Sequence, residues 1–323
     1  VHYIQLITNN LKGDIQMKKW LLPMFMVVVL VLAACGNKED SAKKEDEGNA
    51  SSTAETITYQ SETGPIEVPA NPQRVVVLSS FVGDLIQLGV DVVGVDSWAA
   101  DNPNFKEAIK DAVVVENTDI EKIIELDPDL IIGLNGIENA DKLAEIAPTV
   151  LFTYGQVDYL QQFIEIGKVV NKEDEATKWV ADFKKRAAEA GSEIKAKIGE
   201  DATVTVAEMF NKQMYVYGDN WGRGTEILYQ EMGLNMPEKV KQDALKPGYF
   251  AISSEVLNEY AGDYVIFSTF NGEESSIADA PWYKDLEAVK NGHLFAINGN
   301  AFYFNDPITL EYQLKFFKEK FLQ

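Results

Sequence analysis

The chain is poor in the side chains that usually carry chemistry. Among 323 residues there are two histidines and one cysteine. Arginine occurs three times, as Arg74, Arg186 and Arg223. Each scarcity removes a class of function. A single cysteine, Cys35, excludes an intrachain disulfide. Direct metal ligation needs several His, Cys or closely grouped carboxylates. The one histidine beyond the N-terminal region, His293, opens a predicted strand and reads as structural. No G-x-S-x-G occurs, and His293 would be the only base available to a serine nucleophile. Neither a P-loop nor a dinucleotide fingerprint is present. Positive charge is also short. Lys and Arg number 29 against 51 Asp and Glu, a formal net charge of −22. That balance lacks the basic footprint of a nucleic-acid binder and the basic face that holds a protein on anionic lipid.

A membrane-spanning run is also missing. The apolar stretch from Trp20 to Ala34 is shorter than the roughly 20 residues a span requires. It follows Lys18 and Lys19 and ends in small residues, the layout of a secretory signal peptide over 17–34. The segment "LAAC" at 32–35 resembles the lipobox of bacterial lipoproteins. The resemblance implies cleavage before Cys35 and lipidation of that cysteine. Two acyl chains suffice for stable anchoring, whereas one is marginal. Residues 35–55 are charged and small, a tether too polar to fold. Residues 1–16 precede Met17, carry Asp14 and read as an upstream extension of the reading frame.

From Thr56 onward, short apolar runs alternate with amphipathic ones. "RVVVLS", "VDVVGVD", "AVVV", "DLIIGL" and "TVLFTY" are predicted strands. "FVGDLIQLG", "NFKEAIKD", "DIEKIIELD" and "NADKLAEIA" are predicted helices. Such alternation builds a parallel sheet covered on both faces. A helix at "YLQQFIEIGKVV" precedes a long one over 172–198. There Ala176, Trp179, Val180, Phe183, Ala187, Ala190 and Ile194 share one face. Alternation then resumes with strands at 202–210, 213–218, 263–270 and 293–298. The expected class is α/β: two Rossmann-like lobes with mainly parallel sheets joined by one long helix. The lobes are placed at 56–158 and 201–323, with connecting helices over 159–200.

The two lobes share a faint repeat. "EKIIELDPDLII" begins at Glu121 and "EVLNEYAGDYVI" at Glu255. Each has a second glutamate four residues on (Glu125, Glu259) and an aspartate eight residues on (Asp129, Asp263), then an apolar strand. The matched acidic spacing points to related lobes.

Ligands of open parallel sheets sit beyond the carboxyl ends of the strands. In the first lobe those positions are Ser79, Ser80, Phe81, Ser97, Trp98, Asn135 and Tyr154. In the second they are Phe210, Tyr215, Tyr217, Trp221, Arg223 and Phe270, with Phe302, Tyr303 and Phe304 after the last strand. Phe210 and Phe270 suit core and cleft equally. Trp221 lies between glycines in "YGDNWGRG" and belongs to no apolar periodicity, which favours a ligand-facing ring. Arg223 beside it offers a planar fork of donors, or else a surface ion pair with Asp219 or Glu226. One arginine among aromatics suits a roughly neutral, oxygen-rich ligand with apolar surface.

The lipobox, "NPQRVVVL", "DPDLIIGL", "EIAPTV", "VYGDNWGRGTEILYQ", "YAGDYVI", "VKNGH" and "FYFNDPITLE" together resemble the siderophore-binding lipoproteins of Gram-positive ABC importers. The ferric-hydroxamate group is the nearest match, and the class III periplasmic-binding-protein-like fold goes with it. The resemblance implies a non-enzymatic, monomeric receptor, lipid-anchored on the outer face of the cytoplasmic membrane, with no cofactor. Its ligand is an Fe(III)–hydroxamate siderophore complex whose iron is held by the siderophore. Trp221, Arg223, Tyr154 and Tyr215 match ligand-contacting positions. Phe304 stands where the family often has tyrosine or tryptophan, and Tyr303 lies next to it. Trp98 and Phe81 complete the expected site. Glu121 and Glu255 match the glutamates that pair with arginines of a permease dimer, which works with its ATPase. Two alternatives stay open: a receptor for another bulky chelate (catecholate siderophore, haem or cobalamin), and an extracytoplasmic siderophore-modifying enzyme.

Overall fold

The β-branched runs form the sheets. The computed structural model describes residues 55–270 and 277–323. The upstream segment, the signal peptide, Cys35 and the tether through residue 54 lie outside the described residues. No helix among the described residues is long and apolar enough to cross a membrane. A hairpin absent from the sequence reading comes first, β1 (Thr56–Ser61) against β2 (Gly64–Pro69). Its residues are mostly exposed or half-buried, so no apolar run announces it.

The first sheet contains β3 (Val75–Leu78), β4 (Val92–Val95), β5 (Val113–Val114), β6 (Leu130–Leu134) and β7 (Thr149–Phe152). The order is β5-β4-β3-β6-β7, every pair parallel. Helices α1 (Val82–Gln87), α2 (Ser97–Ala100), α3 (Ile120–Glu125) and α4 (Ala140–Ile146) connect the strands. The helix expected at "NFKEAIKD" is instead a run of turns. Asn102 accepts from the Asn104 amide through its side chain, which offers the backbone an alternative to the helical ladder. Phe105 and Ile109 still enter the core.

Two helices, α5 (Tyr159–Val169) and α6 (Glu173–Ile198), lead to the second lobe. At about 1.5 Å per residue, α6 is about 39 Å long. Its Ala176 belongs to the first lobe's core and Phe183, Ala187, Ala190 and Ile194 to the second's. Trp179 and Val180 pack against both. One helix is thus built into two cores, which makes it a stiff link.

The second sheet contains β8 (Val204–Phe210), β9 (Gln213–Tyr217), β10 (Tyr249–Ile252), β11 (Tyr264–Thr269) and β12 (Leu294–Asn298). Its order is β10-β9-β8-β11-β12. Here β8, β11 and β12 run parallel, while β9 is antiparallel to both of its neighbours, β8 and β10. The predicted helix after the "GRG" turn is a π-helix, Glu226–Glu231. A C-terminal helix, Pro307–Phe321, is N-capped by Asp306, whose side chain accepts from the Thr309 amide.

The acidic repeat has a structural meaning. Asp129, just before β6, accepts from the amides of Gln73 and Arg74, which lead into β3. Asp263, just before β11, accepts from the amide and hydroxyl of Thr203, which leads into β8. In each lobe the aspartate ties together the entrances of two neighbouring parallel strands.

Candidate ligand-binding site

Each sheet changes direction of winding beside its first strand, between β3 and β6 and between β8 and β11. Clefts form at such points. The "GRG" turn lies at the second. Gly222, Arg223 and Gly224 all have positive φ, at 69°, 58° and 85°. A Cβ on Gly222 would lie 2.2 Å from the Tyr303 carbonyl oxygen, so only glycine fits. The Arg223 amide donates to the Phe302 carbonyl at 2.8 Å. Glu226, buried, accepts from the Gly222 amide, Thr225 Oγ1 and Asn305 Nδ2, which locks the turn. Burial pushes its carboxyl above the usual range. A left-handed arginine costs about 1–2 kcal/mol, so the turn stores strain to aim that side chain.

Arg223 is not paired with Asp219 or Glu226. Its partner is Glu208 on β8, a residue the sequence reading passed over. Nε meets Glu208 Oε2 and Nη2 meets Oε1, each at 3.0 Å. Nη1 donates to the Trp221 carbonyl at 3.0 Å. The guanidinium lies between two rings, 4.9 Å from the Tyr217 centroid and 4.5 Å from that of Tyr303. Burial alone would lower its proton affinity, but Glu208 outweighs this and holds it above the ordinary arginine value.

Rings continue on both sides. Tyr303 stacks on Trp98 of α2, with centroids 4.6 Å apart. Trp221 meets Tyr154, which follows β7, edge to face at 6.0 Å. Trp221 also contacts Tyr249, which contacts Tyr215. Trp98 and Tyr154 come from the first lobe and are 43% and 54% exposed. Trp221, Tyr215 and Tyr303 are half-buried. Six of the expected residues, Trp98, Tyr154, Tyr215, Trp221, Arg223 and Tyr303, therefore gather where the lobes meet.

Two expected contacts differ. Phe304 is turned away: it is buried in the first lobe's core, stacked on Phe105 at 5.8 Å. Consecutive residues after β12 point oppositely, so Tyr303 takes the cleft and Phe304 the core. Phe81 is also buried, edge-on to Phe152, and only borders a neighbouring cavity. Phe270 is buried against Phe210.

That cavity, about 330 Å³, adjoins the ring-lined face through Tyr154 and Asn220. Its walls include Ser80, Asp84, Gln162, Glu226 and Asp306. Its size is at the lower end for small-molecule pockets, so a bulky ligand would have to use the open aromatic face as well. Among the described residues no three His, Cys, Asp or Glu side chains are grouped to hold a metal ion. Glu121 and Glu255 are both exposed near the starts of helical turns in their respective lobes.

Comparison with known proteins agrees with this architecture. The family described as periplasmic binding protein matches residues 75–301. The iron(3+)-hydroxamate-binding protein FhuD of Bacillus subtilis is 38% identical over 304 residues, 91% of this chain and 94% of its own. The iron(3+)-hydroxamate-binding protein YxeB of the same organism is 36% identical over 307 residues, covering 92% and 95%. The FhuD protein from S. pseudintermedius superposes with a TM-score of 0.75 at 36% identity, over 83% of this chain and 98% of that one. FhuD2 from Staphylococcus aureus with bound ferrioxamine B gives 0.72 at 35% identity, over 78% and 98%. The paired α/β lobes, the shared long helix and these likenesses place the chain in the periplasmic binding protein family.

Proposed function

We propose that this protein is an extracytoplasmic receptor that captures ferric hydroxamate siderophores between its lobes and passes them to an ABC permease for iron uptake. The observation that carries the reading is the ring-lined face holding one guanidinium, Trp98–Tyr303–Arg223 and Tyr154–Trp221. Aromatic rings give a bulky chelate contact area at small entropic cost. Arg223 has five N–H groups and spends three on Glu208 and Trp221, leaving two for ligand oxygens. Iron in such a complex is ligated by the siderophore and is cargo. The likeness to iron(3+)-hydroxamate-binding relatives supports the ligand class.

The same reading assigns Cys35 to lipid attachment on the outer face of the cytoplasmic membrane. It assigns Glu121 and Glu255 to the two arms of a permease dimer, since exposed and equivalent acids suit a two-fold partner. The receptor acts as a monomer and performs no chemistry on its ligand. Titrating intrinsic tryptophan fluorescence with ferrichrome, ferrioxamine B, cobalamin and haem tests the assignment. Saturable quenching by the hydroxamates is expected, and quenching only by a non-hydroxamate rejects it. Recovery of chemically altered siderophore after incubation would instead favour an enzyme.

A further inference from the structure

Glu208 is a charged residue at the centre of the second sheet. It lies on β8, in register with Ser268 on β11 and Tyr215 on β9. Its side chain is fully buried. A carboxylate offers about four acceptor sites, and all are used. Oε1 accepts from the Tyr217 hydroxyl at 2.6 Å and from Arg223 Nη2. Oε2 accepts from the Ser268 hydroxyl at 2.8 Å and from Arg223 Nε. Three elements therefore converge to hold one anion directly behind the guanidinium. Arg223 itself keeps only 9% of its side chain exposed.

The consequence is electrical. A lone buried guanidinium would project a full positive charge into a low-dielectric cleft and would favour anionic chelates. With Glu208 in contact behind it, a ligand meets a dipole whose field falls off much faster with distance. Among the described residues, no second cation lies with the buried ionisable groups beside the cleft. Asp84, Glu226 and Asp306 line the adjoining cavity, Asp96 lies before α2, and burial pushes each of these carboxyls toward its neutral form. Donor geometry for oxygen is retained while the attraction for net negative charge is removed.

We infer that Glu208 is a specificity-determining residue: by neutralising Arg223 from behind, it makes the cleft select uncharged ferric chelates over anionic ones such as ferric tricatecholates. The inference rests on the proposed binding role but not on the hydroxamate group as such. Glu208 touches no ligand, and it acts through the charge and orientation of Arg223.

The test compares dissociation constants for ferrichrome, whose iron centre is uncharged, and a ferric tricatecholate, which stays strongly anionic. Wild type is expected to prefer ferrichrome. Glu208→Gln keeps the side-chain shape and leaves Arg223 uncompensated. The preference should shift toward the anionic chelate by about tenfold or more. A folded Glu208→Gln protein whose preference stays within about twofold of wild type overturns the inference. If that variant does not fold, wild-type binding of the tricatecholate is followed against ionic strength instead. The inference expects no tightening as salt is lowered, because no net cation faces the ligand. Tightening by about tenfold at low salt relative to ferrichrome would show that the wild-type guanidinium acts as an open cation, and would overturn it. Wild type that takes uncharged cobalamin but neither ferrichrome nor ferrioxamine B sinks the hydroxamate reading alone, and the charge comparison is then made with cobalamin. Wild type that prefers the tricatecholate sinks the selection by charge.

Discussion

Replacing Arg223 with alanine separates a cleft arginine that merely waits for ligand from one that the fold itself requires. The guanidinium supplies two of the four hydrogen bonds to Glu208, which is fully buried. Removing one partner of a buried ion pair generally costs about 3–5 kcal/mol, because the other charge is left uncompensated. Contacts over Tyr217 and Tyr303 add about 0.5–1 kcal/mol each. An upper bound on the charge penalty follows from proton uptake. A stranded carboxylate escapes by binding a proton, and from an ordinary glutamate value of about 4.3 this costs about 4 kcal/mol at pH 7. The folded variant would then hold that proton more tightly than its unfolded chain. The stability this proton contributes is therefore fully present at and below the ordinary glutamate value and is lost as pH rises above it. Urea unfolding followed by far-ultraviolet circular dichroism should give a deficit of about 3–5 kcal/mol at pH 7. The deficit should narrow by about 2–3 kcal/mol at pH 5. A deficit under about 1 kcal/mol at pH 7, or one indifferent to pH, would refute the buried-pair reasoning.

Alanine at both Glu121 and Glu255 should leave siderophore affinity within about twofold while cellular uptake of the iron complex falls; lost binding would move these acids to the ligand site or the fold. Gly191→Ala puts a Cβ 2.1 Å from the Met232 carbonyl oxygen. Despite the better helix propensity of alanine, the melting temperature should drop, by about 1–3 kcal/mol of stability; an unchanged transition would contradict the close packing of α6. Asp306→Asn keeps the helix cap but cannot titrate. Burial pushes Asp306 up to about 6, and burial together with Asp306 raises Asp84 beside it. A raised carboxyl favours the folded state at low pH and loses that contribution as pH rises through about 6. The stability of the variant relative to wild type should therefore grow by up to about 3 kcal/mol from pH 4 to pH 7, and a flat difference would remove Asp306 from that role.

The sequence by itself determined the α/β class, the long helix and the clustering of Trp221 and Arg223 in a glycine turn. These are written in local signals: apolar runs such as "VVVL", helical spacing from Ala176 to Ile194, and glycines at positions where φ is positive. Acidic spacing even marked Asp129 and Asp263, whose equivalent strand-entry bonds show that the repeat is structural. Strands β1 and β2 were illegible because their residues lie largely at exposed or half-buried positions with no apolar run, and β10, "YFAI", because four apolar residues are too few for periodicity to separate a strand from a loop. Glu208 did leave a trace, as one acid inside the strand "VTVAEMF", and a buried charge calls for a partner. Which partner was undecidable from the chain, since Arg223 lies 15 residues away and Ser268 a further 45 beyond it. Only the tertiary structure chose between Tyr303 and Phe304, sending one ring to the cleft and the other onto Phe105. Burial and charge pairing are properties of distances between elements, and local patterning fixes the elements but not those distances.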